Sequence, residues 1–191
     1  PAYWVGFKFF NVYGPNEYHK GRMASVVYHF FNQIVQHGEA RLFASAHKDY
    51  KDGEQKRDFI YVKDIVQTLY NAWENPIPSG IYNLGTGKAR SFNDLAKAVF
   101  KAMNVKERIT YIPTPYDLRD RYQYFTEADM TKLKETGLFS SFYNLENGIE
   151  DYVQNYLSKT LNYWIGKTPL PTWPTVFLTQ NLVPCLYEKP F

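Results

Sequence analysis

The run Val5-Gly6-Phe7-Lys8-Phe9-Phe10-Asn11-Val12, halted at once by Tyr13-Gly14-Pro15, leaves this chain little structural choice. Apolar and aromatic residues crowd the run as in a strand. Proline lacks the N–H that a sheet ladder needs, so the chain must leave the sheet at Gly14-Pro15. The next segment is chemically dense: Asn16, Glu17, His19, Lys20 and Arg22 come in quick succession before Ser25, Val26, Val27 and Phe30 open an apolar helical pattern. A strand whose carboxyl end spills polar side chains into a loop before a helix is where open α/β sheets place ligands. The expected fold class is therefore α/β with a parallel sheet.

Later segments keep this alternation. The helix begun after Met23 stops at His37-Gly38, a left-handed cap signal. Arg41 to Ala44 reads as a short strand, and Ala46 to Gln55, which contains Asp52-Gly53, reads as a surface turn. Lys56 to Val62 is a strand entered through Arg57, after which Asp64 is placed to cap a helix running to Trp73. Gly80 to Leu84 is a strand, Phe92 to Met103 a helix with a Ser91/Asp94 capping box, and Ile109 to Ile112 a strand. Thr126 and Asp129 repeat the capping-box pattern before a short helix ending at Gly137. Asn144 caps an amphipathic helix from Leu145 to Leu157. Beyond Ser158, Pro169, Pro171, Pro174, Pro184 and Pro190 interrupt an aromatic tail, and no stable helix runs through it.

Composition limits the function. Over 191 residues the formal net charge is +3, with acidic and basic residues interspersed, which argues against nucleic acid and fits a small anionic ligand. No run is long and apolar enough to span a bilayer. The single Cys185 forms no internal disulfide and no Cys/His cluster has zinc spacing, consistent with a reducing cytoplasm and no metal. Seventeen Tyr and fourteen Phe suit a pocket for a polar organic ligand, and equally an aromatic core.

Several residues carry two readings. Arg57-Asp58 is either a surface ion pair or a phosphate grip, since a guanidinium binds phosphate bidentately. His29 faces ligand or core. Gly85-Thr86-Gly87 sits between strand and helix as a phosphate turn would, yet Arg90 holds the third glycine site and the capping box accounts for the local sequence. Asp117 to Phe125, with Arg119, Asp120, Arg121, Tyr122 and Tyr124, is a loop suited to phosphates and rings, or a solvated charge run.

In order, Asn11-Val12-Tyr13-Gly14-Pro15, His19-Lys20-Gly21, Lys56-Arg57-Asp58-Phe59-Ile60-Tyr61-Val62-Lys63-Asp64, Asn83-Leu84-Gly85-Thr86-Gly87 and Arg121-Tyr122-Gln123 resemble the extended short-chain dehydrogenase/reductase superfamily of sugar-nucleotide epimerases and dehydratases. The N-x-Y-G-P and R-D-F-x-Y-V-x-D segments are common across it. His-Lys-Gly with Met23-Ala24-Ser25-Val26 narrows the resemblance to the branch that inverts C6 of an ADP-linked heptose. The match runs from about Val5 to Leu157. It implies that residues 1–158 are the C-terminal part of the fold, including a sugar-nucleotide domain, and that 159–191 is a tail without family counterpart. The glycine-rich cofactor turn and the Y-x-x-x-K pair would precede Pro1, so this chain is expected to be inactive alone. The Tyr163/Lys167 spacing in the tail reads as chance.

The resemblance further implies NADP, with NAD as the variant, which oxidises C6 of ADP-heptose and returns hydride to the opposite face, in a pathway to lipopolysaccharide core. Two faces call for two acid/base groups. Lys20 matches one, with partial burial expected to lower its pKa. Val12 and Lys20 fall at cofactor positions; Asn11, Arg22, His29, Phe43, Ala44, Ser45, Ala46, Arg57 and Tyr122 fall at substrate positions, Arg57 on the diphosphate. Some members carry Ser where this chain has Arg22. A cytoplasmic homo-oligomer is implied. Two other readings stand: a different sugar-nucleotide epimerase or dehydratase, or a non-catalytic sugar-nucleotide-binding fragment.

Overall fold

A computed structural model describes residues 3–114, 122–138 and 141–160. The expectations for Arg119, Asp120, Arg121, Tyr163, Lys167, Cys185 and most of the tail lie outside the described residues.

The opening run is a strand that changes partner. Its first part, β1 (Val5–Phe9), pairs in parallel with a later strand, Gly80–Leu84. Its second part, β2 (Asn11–Tyr13), pairs in parallel with Lys56–Tyr61. Phe10 is the joint, its N–H donating to the Leu84 carbonyl at 3.1 Å. The run ends as its sequence requires. Gly14 has φ 141°, and a Cβ there would strike the Val62 and Tyr61 side chains, so glycine is needed on both counts.

Helix α1 (Val26–His37) starts at Ser25, whose Oγ accepts from the Tyr28 N–H, and stops at a left-handed Gly38. Strand β3 (Ala40–Phe43) follows, then β4 (Lys56–Tyr61), α2 (Val62–Glu74) and β5 (Gly80–Leu84). A three-residue strand, β6 (Ala89–Ser91), runs antiparallel to β4 where the sequence pattern shows none. It is too short to show a period. Helix α3 (Phe92–Met103) carries both halves of the Ser91/Asp94 capping box. Strand β7 (Ile109–Ile112) pairs in parallel with β3, and short α4 (Thr131–Lys134) precedes α5 (Leu145–Tyr152), which continues as a π turn over Val153–Leu157.

Strand β4 is the centre. From Arg57 to Tyr61 every residue is buried, so both of its faces are covered, as in parallel sheets clad on two sides. Phe59 and Tyr61 face one core, built with Tyr13, Val27, Phe30, Leu95, Val99, Phe100, Ile149 and Tyr152. Ile60, pointing the other way, joins Ile65, Tyr82, Leu84, Met130 and Leu133. Polar ties fasten α5 to this centre. The Tyr61 hydroxyl and the Lys63 ammonium both donate to Asp151 Oδ2, at 2.7 and 2.6 Å. The carboxylate pushes the Lys63 pKa up to about 12. Arg90, occupying the third glycine site of the incomplete phosphate motif, reaches Asp94 at 3.0 Å and Glu146 at 2.6 Å.

Two caps differ from expectation. Asp64 does not begin α2: the helix starts at Val62, and the Asp64 carboxylate instead accepts from the Tyr143 N–H at 3.1 Å. Burial makes a tertiary amide its best partner. Nor does Thr126 cap α4. Asp129 Oδ1 accepts from the Thr131 N–H at 3.0 Å, while the Thr126 amide is spent on the Lys56 carbonyl beside the Lys56–Phe125 bridge. Among the described residues no helix is long and apolar enough to cross a membrane.

Burial raises the Asp64 pKa from 3.8 to about 6, so the folded chain holds this proton more tightly than the unfolded chain does. Its contribution to stability is full below pH 3.8 and falls as pH rises through about 6. An Asp64→Asn variant removes that slope. Its Tm, measured against wild type from pH 4 to 8, is expected to shift in the variant's favour between pH 4 and 7 and to level off above; a constant difference would show Asp64 titrating normally.

Candidate active site

At the start of β2, Asn11 is exposed and its Nδ2 donates to the Asp58 carbonyl at 3.2 Å, while Val12 is half-buried beside Ile60. The two strands thus set Asn11 opposite Phe59, on the segment that also holds Arg57 and Asp58. Neither of these is at the surface. Arg57 and Asp58 are buried, Arg57 with its guanidinium carbon 5.9 Å from the Phe92 ring centre and 5.6 Å from that of Tyr122. Its Nη1 donates to the Lys56 carbonyl at 2.9 Å; guanidinium stacking of this kind holds the planar N–H edge in a fixed direction.

Asp58 has a different task. Its Oδ1 accepts from the Thr86 N–H and Oγ1 at 2.7 and 2.6 Å, and its Oδ2 from the Gly87 and Ala128 N–H groups at 2.8 and 3.0 Å. Of the amides that a phosphate would use here, those of Thr86 and Gly87 are already taken by a protein carboxylate, and that of Gly85 donates to the Met130 sulfur at 3.3 Å. A Cβ at Gly85 would collide with Asp58 Oδ2 and Ala128. This turn is structural.

Rings run outward from Arg57. Tyr122 meets Phe43 edge-on at 6.5 Å and Tyr124 at 5.2 Å; Tyr124 then meets Tyr50 at 5.1 Å and His47 at 5.0 Å. Beside them lies an open cleft of about 620 Å³ lined by Ala44, Ser45, Ala46, His47, Pro113, Thr114 and Tyr124. Its wall is held by hydrogen bonds across the chain. The Thr114 hydroxyl donates to the Ala44 carbonyl at 2.6 Å, and the Ser45 N–H donates to Asp52 Oδ1 at 2.8 Å. Phe43, Ala44, Ser45, Ala46, Arg57 and Tyr122 therefore come together, although they stem from three separate segments. Tyr124, named with its loop as suited to rings, belongs to the same ring cluster, as do His47 and Tyr50, which were not among the candidates. Their sequence signal was faint, an aromatic pair in a polar turn.

Lys20, Arg22 and His29 form a second group. A 3₁₀ segment, Tyr18–Met23, carries Lys20 and Arg22 on an exposed turn that reverses at Gly21 (φ 52°, ψ −120°). His29 Nε2 lies 3.3 Å from the Arg22 carbonyl and so touches the backbone of the loop. Lys20 is exposed and its ammonium has no ion-pair partner among the described residues, so the partial burial expected for it is not present. A 3₁₀ turn outside the sheet gives it no wall to lie against. Among the described residues no cluster of His, Cys, Asp and Glu could hold a metal ion.

With an arginine stacked on rings, an open cleft and a lysine-bearing loop beyond a parallel strand's carboxyl end, this chain shares the fold of the extended short-chain dehydrogenase/reductase epimerases and dehydratases. The family described as NAD dependent epimerase/dehydratase matches residues 2–85. The chain is also similar to ADP-L-glycero-D-manno-heptose-6-epimerases. It is 53% identical over 169 residues to that of Fusobacterium nucleatum, covering 85% of this chain and 51% of the relative. Among solved structures, the Helicobacter pylori ADP-L-glycero-D-manno-heptose-6-epimerase superposes with a TM-score of 0.66 at 31% identity, covering 80% of this chain and 44% of that one. The Thermotoga maritima UDP-glucose 4-epimerase superposes with a TM-score of 0.67 at 29% identity, covering 82% and 46%. The chain spans about half the length of the curated relatives it matches.

The Asp58 clasp gives a direct test of this architecture. Asp58→Asn exchanges an acceptor arm for a donor facing backbone N–H groups, and a buried donor left unsatisfied costs about 1–3 kcal/mol. The variant is expected to lower the guanidinium midpoint by the equivalent of about 2–4 kcal/mol. An unchanged midpoint would mean that the Gly85–Gly87 turn holds itself.

Proposed function

We propose that this chain supplies the substrate-binding part of an NADP-dependent epimerase that inverts C6 of ADP-D-glycero-D-manno-heptose, a precursor of lipopolysaccharide core. The observation that carries the reading is the 53% identity over 169 residues to a heptose 6-epimerase. Residues 1–158 would form the C-terminal part of that fold, with 159–191 a tail outside it. In support, α2 exposes Val66, Leu69, Tyr70 and Trp73 as one apolar stripe, a face that further parts of such a fold would cover. The enzyme would act in the cytoplasm as a homo-oligomer.

The residues fit the ligands this requires. Arg57, stacked between rings, presents N–H groups to the diphosphate, with Tyr122 beside it. Tyr124, His47 and Tyr50 offer ring surface to the nucleoside along the cleft, bounded by Phe43, Ala44, Ser45 and Ala46. Asn11, Arg22 and His29 address the sugar. For the cofactor, half-buried Val12 offers an apolar edge and Lys20 an unpaired ammonium, which suit a nicotinamide and a reacting hydroxyl; the Gly85–Gly87 turn, filled by Asp58, is not a phosphate site.

Bound nicotinamide would supply the chemistry that no side chain can, removal and return of hydride at C6. Lys20 Nζ then takes or returns the proton of the C6 oxygen on one face. An exposed lysine on a loop suits a group that must reach that oxygen in only one of its two orientations. The rings and Arg57 hold the nucleotide, so that the heptose can turn while the ADP stays fixed.

A chimaera in which residues 3–160 replace the matching segment of the Fusobacterium nucleatum relative provides the assay. It is expected to epimerise ADP-heptose and not UDP-glucose. Turnover of UDP-glucose instead would assign the chain to another branch of the family. Lys20→Met should lower kcat at least 100-fold with nicotinamide cofactor affinity within about threefold, whereas Arg57→Ala should raise the Kd for ADP about 10-fold or more, read by calorimetry. Unchanged kcat in the lysine variant would remove Lys20 from the chemistry.

A further inference from the structure

Glu17 is one of the most deeply buried carboxylates of the molecule, 4% exposed, although it stands in the polar stretch that the sequence presents as open loop. Three donors from two directions converge on it. Its Oε2 accepts from the Ser25 N–H at 2.6 Å, and its Oε1 accepts from the Ser25 Oγ at 2.7 Å and the Tyr152 hydroxyl at 2.9 Å. The Glu17 carbonyl also accepts from the Lys20 N–H at 2.9 Å. One residue thus joins the start of the Tyr18–Ala24 excursion to its end. It also pins both to α5, which lies more than a hundred residues away in sequence.

This has a physical cost and a physical logic. A buried carboxylate is unfavourable unless donors replace its hydration, and here they do. Its charge also lies at the N-terminus of α1, where the helix dipole favours an anion. Ser25 serves twice, its Oγ donating to Glu17 while accepting from the Tyr28 N–H at 3.3 Å as the α1 cap. Burial, and then the neighbouring Glu17, raise the Tyr152 pKa, which keeps that hydroxyl protonated as a donor. Without such ties, an exposed 3₁₀ turn with few buried contacts would sample many conformations. The loop's middle stays exposed while its two ends are fixed.

We infer that Glu17 is the positioning residue for Lys20: its carboxylate clasps the ends of the loop and so fixes where the lysine amine stands relative to β2 and the substrate. The inference rests on the reading of Lys20 as an acid/base group. Misplacement of a reacting group by about 1 Å costs on the order of 100-fold in rate, so a loosened clasp should slow the chemical step more than it weakens binding.

The test has two arms. In the 191-residue chain, Glu17→Ala is expected to speed amide exchange at Lys20 and Ser25 at least 10-fold, with β4 and α3 amides unchanged; Tyr152→Phe should do so by less. In the chimaera, Glu17→Ala is expected to lower kcat 10- to 100-fold with KM within about threefold, and Glu17→Gln to recover part of the loss. Should Glu17→Ala fail to fold, Glu17→Gln carries both arms, with smaller effects of the same pattern. Loop exchange at the wild-type rate, or kcat and KM changing together, overturns the inference. Lys20→Met run alongside separates the two claims. If it is inactive while both Glu17 variants keep full kcat, only the positioning role fails; if it is active, the acid/base reading fails and the positioning role with it.

Discussion

The sheet side of the candidate site is hung on the buried carboxylate of Asp58. It accepts from the Thr86 N–H and hydroxyl and from the Gly87 and Ala128 N–H groups, while its carbonyl receives Asn11. One residue in the middle of β4 therefore fixes the end of β2, the turn after β5 and the segment leading to α4. Hydrogen bonds to a charged group contribute about 1.5–3 kcal/mol each, and their geometry is exacting. With Asp58 so placed, its neighbour Arg57 lies on the opposite side of the pleat, buried against the rings of Phe92 and Tyr122.

A division of labour arises from that constraint. Sheet and core supply rigid positions for Asn11, Val12 and Arg57, as the proposed diphosphate grip would require. Loops supply the rest: the cleft around Ala44–His47 and the turn carrying Lys20. The two loops are stabilised differently. Hydrogen bonds from Thr114 to Ala44 and from Ser45 to Asp52 shape the cleft wall, with rings filling the space, whereas the lysine turn depends on Glu17 at its base. Rings in mutual contact tolerate small shifts; a single carboxylate with three donors does not.

Much of the fold was legible in the chain. The β5 and α3 spans agree with their turn and capping signals to the residue, because Gly80, Ser91, Asp94 and the apolar period are local causes acting locally. Failures have one origin. Asp64 looked like a helix cap, but its carboxylate is satisfied by the Tyr143 amide, 79 residues away. Strand β6 was missed because three residues paired to β4 carry no period. The site was legible in part: Phe43, Arg57, Tyr122 and Tyr124 come together, while His47 and Tyr50 emerged only when their rings were seen in contact.

The sequence by itself determined the order of most strands and helices and the bounds of those with local caps, that the chain leaves the sheet at Gly14-Pro15, and which residue types are available at the crevice. These stem from φ restrictions, hydrophobic period and capping, all of which act over a few residues. Tertiary structure alone decided that Asp58 rather than a phosphate fills the Gly85–Gly87 turn, and that Glu17 is a buried clasp rather than a loop charge. The partners that settle those roles, Ala128 and Tyr152, lie 70 and 135 residues away, and a carboxylate's choice among distant donors leaves no periodic trace in the sequence around it.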